Sequence, residues 1–118
     1  MKRLIRSFVH AARGILFTLK TERNFQLEAT ASFGVFFFMM LLPLTSVERA
    51  ILVFAVALVL ALELTNTAVE RVIDILKPRV HPYARVVKDV MAGAVAVVSC
   101  AALLIGIIIL LPYCLGWQ

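Results

Sequence analysis

Four side chains that carry oxygen, Glu63, Asn66, Glu70 and Asp74, follow one another at spacings of 3, 4 and 4 residues. They come directly after a thirteen-residue apolar run, Ala50 to Leu62. On an α-helix these spacings stack the four within about a 90° sector over roughly 16 Å. Counted from Ala50 at about 1.5 Å per residue, Glu63 lies roughly 10 Å inside a hydrocarbon boundary that Glu70 reaches, while Asp74 projects to water. Carboxylates facing lipid are too costly to keep, so the stripe must face a protein partner or a polar cavity. A carboxylate withdrawn from water can do the proton-accepting work of a general base, and Glu63 is the candidate. Glu70 is better placed to hold a hard cation, which as magnesium joins carboxylates to nucleotide phosphates. The residues alone leave a plainer reading open, because Asn and Glu also join membrane helices through hydrogen bonds.

The elements that must position this stripe follow from composition. The chain has 118 residues, 63% of them hydrophobic, with a mean hydropathy of +1.00. That exceeds the roughly 45–50% apolar usage of soluble domains, so the expectation is one all-α membrane domain covering residues 1–118. Three stretches are long enough to span a bilayer: Leu27 to Leu44, Ala50 to about Val69, and Val90 to Leu111. Thr45-Ser46-Val47-Glu48, just after Pro43, supplies a helix N-cap, so the second of these helices is expected to begin near Ser46 or Val47. Pro78 and Pro82 interrupt the charged segment before the third. The first thirty residues carry too many charges for a cleavable signal. Cys100 and Cys114 are too few and too isolated for a metal cluster or redox motif, and are expected to be packing residues.

Lys2, Arg3, Arg6, Arg13, Lys20 and Arg23 precede the first span, and Arg71, Lys77, Arg79, Arg85 and Lys88 lie between the second and third. Only Arg49 is left for the other side, so the N-terminus and the long connection are expected to be cytoplasmic. Residues 3–20 form a further helix, with Arg3, Arg6, His10, Arg13 and Lys20 on one face and Leu4, Phe8, Ala11, Ile15 and Leu19 opposite. Phe17 breaks that pattern on the basic side. Such a helix lies on an anionic leaflet. Nucleic acid is a poor partner for basic residues that alternate with lipid-seeking ones.

Residues 63–74, ELTNTAVERVID, match the pattern E-x-x-N-[ST]-[SA]-x-E-x-x-x-D at every specified position, and Lys88-Asp89 follows at a characteristic distance. In these residues the chain resembles the small prokaryotic integral-membrane diacylglycerol kinases and their close relatives, the undecaprenol kinases. The segment TERNF, Thr21 to Phe25, resembles the family's acidic segment before its first span. HPYARVVKD resembles the version common among undecaprenol kinases. That branch often carries histidine where this chain has Glu28.

The resemblance implies an N-terminal surface helix and three membrane helices per chain, a homotrimer with composite active sites, and location in the bacterial cytoplasmic membrane. It implies ATP and Mg2+ as cofactors and a lipid alcohol, undecaprenol slightly ahead of diacylglycerol, as substrate. Carried across residue by residue, it makes Glu63 the catalytic base, supported by Asn66, and makes Glu22 and Glu70 the carboxylates for the metal that accompanies ATP. Lys88, Asp89 and the Arg79 to His81 loop fall at the nucleotide site. Arg3, Arg6 and Ser7 to Ala12 align with the surface helix that receives lipid and nucleotide, where His10 could touch phosphate. The residues leave alternatives: Glu22 as an acidic first helical turn, and Lys88-Asp89 as an ordinary interfacial pair. The chain lacks G-x-x-x-x-G-K-[ST] and any protein-kinase signature, so phosphate binding is expected to rest on carboxylate-held metal and basic side chains. The rival functions are a small proton-coupled transporter built around an intramembrane glutamate, and a purely structural membrane subunit.

Overall fold

Every regular element in the computed structural model, which describes residues 1–76 and 82–116, is an α-helix. The elements are α1 (Lys2–Thr21), α2 (Arg23–Leu41), α3 (Ser46–Leu76) and α4 (Tyr83–Cys114). α3 is the central element: it packs most extensively on α4, then on α2, and also touches α1.

Local chemistry explains the boundaries. α2 ends at Leu41, three residues before the expected end of the first span, because Leu42 precedes Pro43 and is driven into extended backbone (φ −94°, ψ 143°). α3 begins at Ser46 behind a reciprocal cap. The Thr45 amide donates to Glu48 Oε2 at 2.8 Å, the Thr45 hydroxyl donates to the same oxygen at 2.7 Å, and the Glu48 amide returns to Thr45 Oγ1 at 3.3 Å. Arg49 donates to the carbonyls of Leu44 and Leu42, satisfying backbone acceptors beyond the end of α2. From α4, the Tyr113 hydroxyl donates to Glu48 Oε2 at 2.9 Å and ties three elements together at this end. A small core of Met39, Leu44 and Leu52, flanked by Ile105, Ile109 and Leu110, packs beside the knot.

α4 starts directly after Pro82 and is long and apolar enough to cross a membrane by length and composition. None of its residues is fully buried within the single chain, and Cys100 and Cys114 are both free and exposed rather than packed inside. α1 is strongly amphipathic and buries only Thr18, leaving Leu4 and Phe8 on an open apolar face. Large apolar side chains on α2, among them Phe33, Phe37 and Met40, are likewise exposed. Such surfaces suit a hydrocarbon surround.

Candidate active site

The buried residues of α3 are Leu52, Ala55, Val59, Glu63, Asn66, Thr67 and Ile73, which recur at helical spacing along one face. The polar stripe therefore continues the apolar packing seam of the same helix. Along it exposure increases in the expected direction: Glu63 is 3% exposed and Asn66 8%, Glu70 is half-buried and Asp74 open. Glu63 Oε2 and Asn66 Oδ1 are buried, and among the described residues no donor reaches either. Buried acceptors without donors are expensive. The two lie about 4.5 Å apart in helical rise, on one face of α3.

Three further carboxylates act on Glu63 electrostatically, in the order Glu28, Glu70 and Glu22. Glu70 comes from the next turn of α3. Glu22 sits at the junction of α1 and α2, where its extended backbone (φ −109°, ψ 113°) turns the chain from one helix into the next. That junction is held by the Glu22 amide on the Thr18 carbonyl at 2.8 Å and by Gln26 Nε2 on the Leu19 carbonyl at 2.9 Å. The Glu22 carboxylate forms an ion pair with Arg71 of α3, whose guanidinium carbon lies 5.7 Å from the centroid of the Phe17 ring. Phe17, the residue that interrupts the basic face of α1, is thus a platform for a cation of another helix.

Glu28 was noted in the sequence only as a departure from a related branch. The structure puts it in the site: Ser99 of α4 donates to its Oε1 at 3.2 Å, and its Oε2 is buried with no donor among the described residues. The signal was present in the sequence, since Glu28 is an ionisable residue within an apolar stretch. Glu28 and Ser99 close one end of a groove of about 480 Å3 between α2, α3 and α4, whose walls, including Leu52, Val59 and Leu111, are otherwise almost wholly apolar. By size and lining the groove is suited to apolar chains, with its polar groups gathered at Glu28 and Ser99.

The remaining expected site residues are distributed differently. Lys88 reaches back to Asp74 at 2.8 Å, linking α4 to the end of the stripe, rather than pairing with exposed Asp89. Arg3, Ser7 and His10 are exposed on α1, and the Ser7 hydroxyl is engaged by the Arg3 carbonyl. Ser7 lies roughly 22 Å along the helix from the Glu22 junction. Arg79 and His81 lie outside the described residues.

Glu22 and Glu70 fit magnesium by donor chemistry, being hard oxygen ligands beside the stripe. Among the described residues no group of three or more His, Cys, Asp or Glu side chains is arranged to hold an ion by itself. A nucleotide-borne magnesium needs only one or two carboxylates, because phosphates and waters supply its other ligands.

Helices with exposed apolar faces, a buried carboxylate continuous with a surface acidic stripe, and an adjoining apolar groove define a helical membrane protein with a polar site. Residues 9–110 match the family described as prokaryotic diacylglycerol kinase. The chain is 41% identical over 112 residues to the undecaprenol kinase of Bacillus subtilis (strain 168), covering 95% of this chain and 91% of that protein. It is 36% identical over 110 residues to a diacylglycerol kinase of Synechocystis sp. (strain ATCC 27184 / PCC 6803 / Kazusa), covering 92% of this chain and 63% of that longer protein. The chain belongs to the prokaryotic diacylglycerol kinase family and is a lipid kinase. That assignment displaces the transporter and the purely structural subunit.

Proposed function

We propose that this lipid kinase transfers the γ-phosphoryl group of ATP to the primary hydroxyl of undecaprenol, in preference to diacylglycerol, at the cytoplasmic face of a bacterial inner membrane. The observation that carries the reading is Glu63: a buried carboxylate with an unengaged oxygen, at the depth where an apolar seam meets an acidic stripe. The preference for undecaprenol rests on the 41% relative, which this chain matches over 91% of its length, and on the HPYARVVKD segment.

In this mechanism Glu63 accepts the hydroxyl proton as the lipid oxygen attacks the γ-phosphorus. The new P–O bond forms as the bond to ADP breaks. Asn66, one turn on, orients the carboxylate. Glu22 and Glu70 would hold magnesium, which when bound neutralises charge on the nucleotide phosphates. Lys88, once released from Asp74, together with Asp89, Arg79, His81 and His10, would bind nucleotide, while Arg3 and Ser7 meet the lipid headgroup. Positioning and charge neutralisation supply most of the rate in phosphoryl transfer, so no covalent intermediate on the enzyme is required.

α2 and α3 cross the bilayer beside α4, with the N-terminus and the α3–α4 connection cytoplasmic, and three copies assemble into composite sites. Two features support this. The exposed apolar residues of α2 and α4 need cover, and the α1 residues Arg3 and Ser7 lie far along their own helix from the Glu22 junction, so a site that uses them would draw them from a neighbouring copy.

Purified protein in detergent, incubated with radiolabelled ATP, magnesium and a panel containing undecaprenol and diacylglycerol, tests the reading. Label should enter undecaprenol faster than diacylglycerol. Faster labelling of diacylglycerol reverses the substrate order, and label in neither overturns the proposal.

A further inference from the structure

Among the described residues Arg71 contacts Glu22, the carboxylate at the α1–α2 junction that the proposed mechanism gives to the metal. Three observations bear on why. The α1–α2 junction is already fixed by the Glu22 amide and by Gln26, so the ion pair is not what places Glu22. The pair is partly open, with the Arg71 side chain 50% exposed and that of Glu22 23%, so it is weak enough to be exchanged. Finally, the guanidinium rests over the Phe17 ring, a seat that keeps it beside Glu22 and that it can keep when the carboxylate turns to another cation. Glu22, Glu28 and Glu70 all lie close enough to Glu63 to act on it, and a cation beside Glu22 offsets part of this concentration of negative charge.

We propose that Arg71 is a positioning residue that occupies Glu22 as a stand-in for the metal, and that the ion must displace the Arg71 guanidinium from this carboxylate to bind. The inference rests on Glu22 being a metal carboxylate, as in the proposed function. Its consequence is competition. With Arg71 present, ion affinity is lowered by the strength of the ion pair and its aromatic seat, several-fold and up to about tenfold for partly exposed interactions of these kinds.

The test is direct titration of Mn2+ by electron paramagnetic resonance on detergent-purified protein in the presence of a non-hydrolysable ATP analogue. Wild type, Arg71→Gln, Phe17→Leu and Arg23→Gln are compared at equal monodispersity and helicity. Arg71→Gln should bind Mn2+ several-fold to about tenfold more tightly than wild type. Phe17→Leu, which keeps the charge and removes the seat, should tighten binding about twofold. Arg23→Gln removes a like charge one residue from Glu22 and measures the general electrostatic effect, which should be smaller than that of Arg71→Gln. Equal or weaker Mn2+ binding in Arg71→Gln, or equal tightening in Arg71→Gln and Arg23→Gln, overturns the inference alone. Absence of Mn2+ uptake by wild type overturns both the inference and the metal role of Glu22. If Arg71→Gln does not purify as a folded protein, Phe17→Leu decides: unchanged affinity there rejects the stand-in.

Discussion

Replacing Glu63 by Gln separates what this side chain does for chemistry from what it does for the fold. Glu63 is 3% exposed, faces three like charges in Glu28, Glu70 and Glu22, and keeps one oxygen without a donor. The amide has the same shape, bears no charge and cannot accept the substrate proton. A general base contributes about 10²- to 10⁴-fold. Phosphoryl transfer at this site should therefore slow by that factor, equivalent to about 3–5 kcal/mol of transition-state stabilisation at about 1.4 kcal/mol per decade. The fold should not suffer, since the substitution removes repulsion and a buried charge, and thermal stability in detergent should stay within about 1 kcal/mol of wild type or rise. The assay is the initial rate of label transfer from ATP to lipid at saturating lipid, run beside unfolding followed by circular dichroism. A variant that stays folded and keeps turnover within a few-fold of wild type refutes the argument. So does one that loses activity only because it no longer folds.

Other perturbations probe the surrounding contacts. Ser99→Ala leaves both Glu28 oxygens without a partner and should cost about 1–3 kcal/mol, while the double change Ser99→Ala with Glu28→Leu should recover most of it, because removing both partners of a buried bond is nearly neutral; thermal unfolding reads both. Lys88→Ala should raise the KM for ATP. A double-mutant cycle between Lys88 and Asp74 should give a coupling under about 1 kcal/mol, as expected for a partly exposed pair. At the other end, the Thr45 hydroxyl, the Thr45 amide and the Tyr113 hydroxyl hold the Glu48 carboxyl below the usual carboxylate range. A depressed folded-state value means that the contribution of Glu48 is complete above its unfolded value, about 4.3, and disappears as pH falls through the lower folded one. The stability difference between wild type and Glu48→Gln should therefore be constant from neutral pH to about 5 and shrink on further acidification; an undiminished difference in strong acid rejects the assignment.

Much of this architecture was legible because one-dimensional periodicity is a strong signal where it is long. The 3–4–4 spacing after Ala50 to Leu62 placed Glu63, Asn66, Glu70 and Asp74 on one face, and their exposure rises from Glu63 to Asp74 as that reading required. The turn at Thr45 to Glu48 announced its cap through residue type and spacing, and the cap forms. What spacing cannot carry is contact between helices. Phe17 looked like an error in an amphipathic pattern until Arg71 came to rest over it from α3, and nothing within α1 encodes that. Glu28 was visible as an ionisable residue in an apolar stretch, but its partner Ser99 lies 71 residues away, and only the packing of both α2 and α4 on α3 brings them together. The contact of Lys88 was hidden in the same way: on a helix adjacent residues point about 100° apart, and the acid it meets is Asp74 across the interface rather than its sequence neighbour Asp89.

The face of α3 that does this work has to satisfy two solvents with one register. From Leu52 to Val59 it packs apolar side chains against α2 and α4, and from Glu63 onward it carries oxygen on the same azimuth. In the proposed mechanism this continuity matters, because the apolar tail and the hydroxyl of one substrate cannot be served by different sides of one rod. Inserting a single residue between Val59 and Glu63 would rotate the stripe by about 100° relative to the seam, taking Glu63 away from Glu28 and leaving a charged face without a polar partner. The length of the apolar run before the stripe therefore decides which neighbours its carboxylates meet.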